Sequence, residues 1–406
     1  MEEFRKLGII EPIIKSITDE GFTEPSEIQA KSIPFVIQGK DVIAESATGS
    51  GKTLAFGSGI IQNCERGKGI QALVLTPTRE LAEQISRKMR NFSKYKPLNV
   101  TVVYGGVSIN PQIKWLQNTD ILIATPGRIL DHMERRTVNL QNVKILVLDE
   151  ADRMFEMGFI DDVEKIIRSC PQKRQTLLFS ATISSEVYHI AKRYMSNPIR
   201  VLAETQVDPK KLTQFYYDVQ DNMKFSLLVH LLKNEKSGLV MVFCNTRHNT
   251  DFVARNLSAL GIDAMATHGG FSQDKRNNVL KKFHSESVYV LVCTDVASRG
   301  LDIQGVSHVY NYDIPKDSKQ YIHRIGRTAR AGNEGKAVSI LSSRDHDNFS
   351  RVLRECDVNI TKIPMPQIER AHIKILDKGR SFDRRPSGFR PRKFSGERRH
   401  TPRFRN

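Results

Sequence analysis

Residues 41–60 read DVIAESATGSGKTLAFGSGI. A short apolar run (41–44) leads into SATGSGKT (46–53), and a helical pattern follows. That is the strand–loop–helix order in which a glycine-rich loop cradles phosphate. Gly49 and Gly51 let backbone N–H groups turn inward around phosphate oxygens. Lys52 brings a point charge to the β and γ phosphates, and the Thr53 hydroxyl is placed to ligate Mg²⁺. Thr48 and Ser50 complete the candidate loop. Its first position is usually Gly or Ala and here is Ser46, only slightly larger and expected to fit.

Such a loop needs a carboxylate to hold the metal. The run DEAD at 149–152 closes the apolar stretch 145–148. In open parallel sheets ligands bind beyond the carboxyl ends of strands. Asp149 is therefore the expected Mg²⁺ partner through water, and Glu150 the expected activator of an attacking water. Alone, acids at a helix start are ordinary partners of its dipole. The phosphate loop a hundred residues upstream gives them a chemical task.

Short apolar runs alternate with helical patterns along most of the chain. Residues 72–76, 100–104, 121–124, 145–149 and 176–180 read as buried strands, and 79–94 and 161–168 as helices. The pattern predicts an α/β fold built on a parallel sheet with helices on both faces. Residues 203–212 are polar, contain Pro209 and have no apolar period. Strand runs then resume at 238–244, 263–267, 289–294, 308–312 and 336–341. The expected organisation is a first lobe at 1–203, a linker at 204–212, a second lobe of the same class at 213–365 and a tail at 366–406. No residue-level repeat links the lobes, so their likeness is one of fold class.

The 406 residues carry 62 Lys+Arg against 45 Asp+Glu, a net charge of +17. A balance that basic favours an anionic partner, nucleic acid or an anionic membrane. From about residue 377 the tail holds eleven Lys/Arg against three acids, with Gly, Pro and Ser at short intervals and no apolar run. Such a composition cannot form a core and is expected to be disordered. Its Phe382, Phe389, Phe394 and Phe404 suit stacking on unpaired bases. No apolar run approaches the ~20 residues of a membrane span. The opening MEEFRKLGII has acids where a secretory leader carries a basic run. Five cysteines without a CxxC pair exclude a disulfide scaffold and a zinc ribbon. A reduced, cytoplasmic setting is expected.

The spelling DEAD, with the phosphate loop, resembles the DEAD-box family of ATP-dependent RNA helicases. The resemblance runs over about residues 4–341, with the motifs in the family's order. It implies two RecA-like lobes, ATP and Mg²⁺ as cofactors, RNA as partner, and a monomer. GFTEPSEIQ (21–29) resembles the Q motif. By that likeness Gln29 offers its amide to adenine, Phe22 stacks on the ring, and Phe4 braces the segment. PTRELA (77–82), Gly105-Gly106 and TPGR (125–128) each follow a strand run. Their turns, hydroxyls and arginines resemble phosphate grips, which implies RNA contacts from Pro77, Thr78, Arg79, Gly106, Thr125, Gly127 and Arg128. SAT (180–182) implies coupling of hydrolysis to strand separation through Ser180, Thr182 and Asp152.

In the second lobe, VFCNTR (242–247), HGG (268–270), QDKR (273–276) and CTDVASRGLD (293–302) imply RNA contacts from Arg247, Gly270 and Arg276, with Thr294 and Arg299 facing RNA or bridging the lobes. Asp302 is implied to accept from the ATP ribose. HRIGRTAR (323–330) implies Arg327 and Arg330 as arginine fingers, with His323 in the coupling. With Lys52 and Glu150 these fingers form the expected catalytic set. The family has Gly where this chain has Ala329, and one methyl is harmless there if φ is negative. Two other readings stay open: an ATP-gated RNA clamp with slow turnover, and a DNA helicase of the wider superfamily.

Overall fold

A computed structural model describes residues 1–46, 49–203, 212–235, 237–298, 303, 305–329, 334–356 and 360–373. Thr48, the linker 204–211, Arg299, Asp302, Arg330 and the tail from 374 lie outside the described residues. One compact unit runs from Met1 to Ala371, beyond the lobe end expected at 365. The Ala371 N–H donates to the Ser226 hydroxyl.

Two seven-stranded sheets form its frame, and every strand pair in them is parallel. The first contains β1 (Val42–Glu45), β2 (Ala72–Leu75), β3 (Val100–Val103), β4 (Ile121–Ala124), β5 (Ile145–Asp149), β6 (Gln175–Ser180) and β7 (Ile199–Leu202). The second contains β8 (Leu212–Asp218), β9 (Leu239–Phe243), β10 (Ala264–Thr267), β11 (Val290–Cys293), β12 (Val306–Asn311), β13 (Gly335–Leu341) and β14 (Thr361–Lys362). β2, β4, β5 and β6 are buried along their whole length. That is why they read as unbroken apolar runs rather than alternating ones: helices cover both faces. Two separate apolar clusters pack on the two faces of the first sheet. Strands β7, β8 and β14 were not expected. β7 and β14 are sheet edges, and β8 starts at Leu212, the last residue read as linker.

The strand orders are β3-β4-β2-β5-β6-β1-β7 and β10-β11-β9-β12-β13-β8-β14. Renumbered within each lobe, the two are identical. The likeness also reaches individual residues. Thr78 caps the helix Arg79–Phe92 after β2, and Thr246 caps the helix Arg247–Ala259 after the equivalent β9. In each case the hydroxyl accepts a backbone N–H, the stabilising bond expected of an N-cap threonine. A Cβ on Gly106 would meet the Arg79 guanidinium at 2.1 Å, and one on Gly270 would lie 3.5 Å from the Arg247 side chain. So in both lobes an arginine at the start of one helix lies beside a glycine that follows the edge strand, β3 or β10. Two shared residues in a row are too short a repeat to stand out in the chain.

Candidate active site

The sheet order sorts the chemistry. β5, β6 and β1 are neighbours, and their carboxyl ends carry Asp149-Glu150, Ser180 and the phosphate loop. β3, β4 and β2 form the other half, and their ends carry Gly106, Thr125–Arg128 and Pro77–Arg79. In the second lobe β10, β11 and β9 lead into Gly270, Thr294 and Arg247, whereas β12 leads into the helix Ser318–Ile325 and Arg327.

The helix Lys52–Asn63 starts behind Gly51, whose φ of +94° suits only glycine. Its free N–H groups make a ready anion site. Buried Lys52 donates to the Ser46 carbonyl at 3.3 Å, and the Ser46 hydroxyl accepts from Ser50 at 3.0 Å. The unusual serine is thus tied into the loop. Thr53 is half-buried at the helix start.

Gln29 is 2% exposed, and both ends of its amide bind protein. The oxygen accepts from Ser26 N and the nitrogen donates to the Gly51 carbonyl, both at 3.0 Å. These bonds brace the phosphate loop, and each end of the amide keeps capacity for one more bond. Half-buried Phe22 meets Phe4 and Phe92 edge to face, at 6.4 and 6.0 Å, and Phe4 is fully buried. Phe4 braces Phe22 as expected.

Asp149 and Glu150 are 3% and 5% exposed. Burial pushes the Asp149 carboxyl up to about 6, against the pull of Lys52. Burial pushes Glu150 the same way, but the Arg153, Lys52 and Arg327 cations outweigh it and hold Glu150 below its ordinary value. Arg327 belongs to the second lobe, so the field at this carboxylate comes from both lobes. Glu150 has φ 52°, left-handed backbone that is strained for glutamate. Its carboxylate pairs with Arg153 at 2.5 Å, both side chains being under 10% exposed. Sequence reading missed Arg153, because a Glu–Arg pair three residues apart looks like any helix surface pair.

Asp152 accepts from the Thr182 N–H at 2.9 Å and its hydroxyl at 3.0 Å, while the Asp152 N–H donates to Ser180 Oγ. The SAT segment therefore meets the acidic run through Asp152, as expected. His323 is half-buried on the helix Ser318–Ile325.

The arginines part company. Arg79 is half-buried beside Gly106, and Arg247 is exposed near Gly270. Arg128 turns inward instead: it donates to the Val107 carbonyl at 2.9 Å and its side chain is 9% exposed. Arg276 has a protein partner in place of solvent. It pairs with Glu80 of the first lobe at 2.9 Å, the two side chains 13% and 5% exposed. Gln273 donates to the same Glu80 oxygen, and Asn277 donates to Glu83. These three contacts latch lobe to lobe. Of the remaining candidates, Pro77, Thr78 and Thr294 are buried, Thr125 is half-buried, and Gly49 and Gly127 are exposed.

Arg324 was also missed. At 1% exposure it pairs with Asp295 and donates to Asn245 and to the Asp313 carbonyl. It ties the loops after β9, β11 and β12 to one another. Ala329 has φ 53°, so the methyl expected to be harmless sits on left-handed backbone.

Asp149 and Thr53 offer hard oxygen donors. Mg²⁺ takes one or two such ligands alongside substrate phosphates, so the pair fits that cation. Among the described residues no group of three or more His, Cys, Asp or Glu could hold a metal unaided.

Residues 26–190 match the DEAD/DEAH box helicase family and residues 223–332 the helicase conserved C-terminal domain. The chain belongs to the DEAD-box family of ATP-dependent RNA helicases. It is 43% identical over 375 residues to the DEAD-box ATP-dependent RNA helicase CshA of Bacillus cereus, covering 91% of this chain and 71% of that one. To CshA of Listeria monocytogenes it is 45% identical, covering 87% and 69%. Among solved DEAD-box structures, S. cerevisiae Dbp5 bound to RNA and ADP BeF3 superposes with TM-score 0.80 at 31% identity, over 89% of this chain and 95% of that one. The DEAD box protein of Methanococcus jannaschii, at 41% identity and similar coverage, gives 0.56.

Proposed function

We propose that this DEAD-box chain closes its lobes on ATP and single-stranded RNA together, and hydrolyses ATP to let the RNA go. The observation that supports this most is the lobe-to-lobe pair Arg276–Glu80 at 2.9 Å, together with a carboxylate, Glu150, held charged by Arg153 and Lys52 and also by Arg327 from the opposite lobe. Hydrolysis then needs closure, and RNA lying across both lobes favours closure. Ligands that prefer the same state bind cooperatively.

In the closed state Lys52 leaves the Ser46 carbonyl for the β and γ phosphates. Thr53 and Asp149 would hold Mg²⁺, which when bound would neutralise charge on those phosphates. Glu150 exchanges Arg153 for a water and takes its proton. The water oxygen bonds to the γ phosphorus, the bond to the β-phosphate oxygen breaks, and ADP and phosphate leave. Arg327, with Arg330, neutralises charge on the transferring group, an effect worth about 10³–10⁵ in rate. Asp302 holds the ribose. Thr78, Arg79, Gly106, Arg247 and Gly270 grip the strand by its backbone, so the enzyme acts without base specificity. Bending one strand across both lobes expels its complement. The setting is the cytoplasm, and four of the five thiols are buried and unpaired, which suits a reducing compartment.

A slow RNA clamp is the second reading, favoured by the Glu150–Arg153 pair that must open before turnover.

ATP hydrolysis with and without RNA, and with DNA as control, tests the proposal. RNA should stimulate the rate, and Glu150→Gln should lose hydrolysis while keeping ATP and RNA binding. Near-normal hydrolysis in that variant, or equal stimulation by DNA, contradicts it. A bound complex that outlives many rounds of hydrolysis would favour the clamp.

A further inference from the structure

Trp115 is the chain's one tryptophan, and it is 56% exposed. It stands near the end of the helix Asn110–Leu116, where its carbonyl accepts from the Thr119 hydroxyl. A cavity of about 840 Å³ opens beside it, between this helix, the edge strand β3 and Arg90. Val100, Val102, Tyr104 and Pro111 give it apolar walls. Arg90 and Lys114 give it positive charge, and among the described residues no carboxylate lines it.

Two features indicate what fits there. First, the groove starts at Val107 and Ser108, directly after Gly106 on the RNA face, and follows the outermost strand of the sheet half that carries the RNA motifs. Second, the open edge of β3 is poorly suited to an added peptide strand. Arg90 already donates to the Val100 carbonyl at 2.9 Å and Gln112 to the Tyr104 carbonyl at 3.2 Å. A cationic groove with one solvated aromatic face is what an unpaired base and its phosphate require.

We propose that this groove extends the RNA track: a base of the strand flanking the clamped segment stacks on Trp115, with Lys114 and Arg90 beside its phosphates. The inference rests on the RNA reading above. Because every base has a π-face, the subsite prefers length of single strand over sequence.

The lone tryptophan makes the test direct. The full chain with a non-hydrolysable ATP analogue is titrated with two homopolymeric single-stranded RNAs. One is just long enough to cover the two lobes, and the other is extended by several nucleotides at both ends. The extended RNA should quench Trp115 fluorescence, and the short one should bind without quenching. Trp115→Ala should weaken the extended RNA roughly tenfold, as expected for loss of one stacked base, and leave the short one unchanged. Trp115→Phe should restore most of the difference. If the extended RNA binds wild type without quenching, and Trp115→Ala binds it equally well, the subsite is refuted and the groove is open to a protein segment. If neither RNA binds or stimulates ATP hydrolysis, the RNA reading itself falls, and the subsite with it.

Discussion

Replacing Arg276 by alanine separates two roles that its sequence position leaves confounded. As a phosphate contact it would contribute to RNA binding directly. As half of an ion pair with Glu80 it acts on closure. The pair is 2.9 Å long and almost wholly enclosed, and removing one partner of such a pair costs about 3–5 kcal/mol. Gln273 still donates to Glu80 at 3.0 Å, and opening of the lobes rehydrates the orphaned carboxylate. A cost below that range, about 2 kcal/mol against the closed state, is the better expectation, or roughly thirtyfold in the closure equilibrium. The RNA concentration for half-maximal ATP hydrolysis should rise by about that factor in Arg276→Ala. Its dependence on salt should not change. A double-mutant cycle with Glu80→Gln should return a coupling of at least about 1.5 kcal/mol. The latch is refuted if the cycle is additive and the salt slope falls by about 0.7, the signature of one lost phosphate contact on a single strand.

Two further expectations concern the second lobe. Ala329→Gly should raise stability to denaturant by about 0.5–1 kcal/mol, since relief of left-handed strain (about 1–2 kcal/mol) exceeds the entropy glycine adds to the unfolded chain; an unchanged or lower midpoint would mean that the position is not strained. Arg324→Ala should destabilise the lobe by about 3–5 kcal/mol, because Asp295 loses its buried partner. A loss under 1 kcal/mol would show that Arg324 does not hold the three loops together.

The phosphate loop and the acidic run were legible because each sits in a short stretch with its own strand and helix beside it. The pairing of Asp152 with SAT was legible through the family resemblance. Glu80 and Arg276 were not. They stand nearly two hundred residues apart, each with nearer neighbours of opposite charge, so spacing carries no trace of their contact. The signal available was Glu80 itself, a carboxylate in a segment otherwise suited to anion binding. Arg128 differs in another way: an arginine after a turn looks solvated, yet its guanidinium is turned back onto the Val107 carbonyl. The positive φ at Glu150 carried no mark in the sequence, whereas the glycine that the family has at position 329 was the one pointer to positive φ at Ala329. β14 is two residues long and pairs only with β8, so its residues lack any run to read.

ATP and RNA are proposed to close the two lobes jointly over Glu150 and Arg327. Single-molecule energy transfer between a dye on each lobe measures it directly. Transfer should be low with ATP alone and with RNA alone. It should be high with both, long-lived in Glu150→Gln and lost in Arg276→Ala at the same RNA concentration. Full closure with either ligand alone, or no change with both, would contradict it.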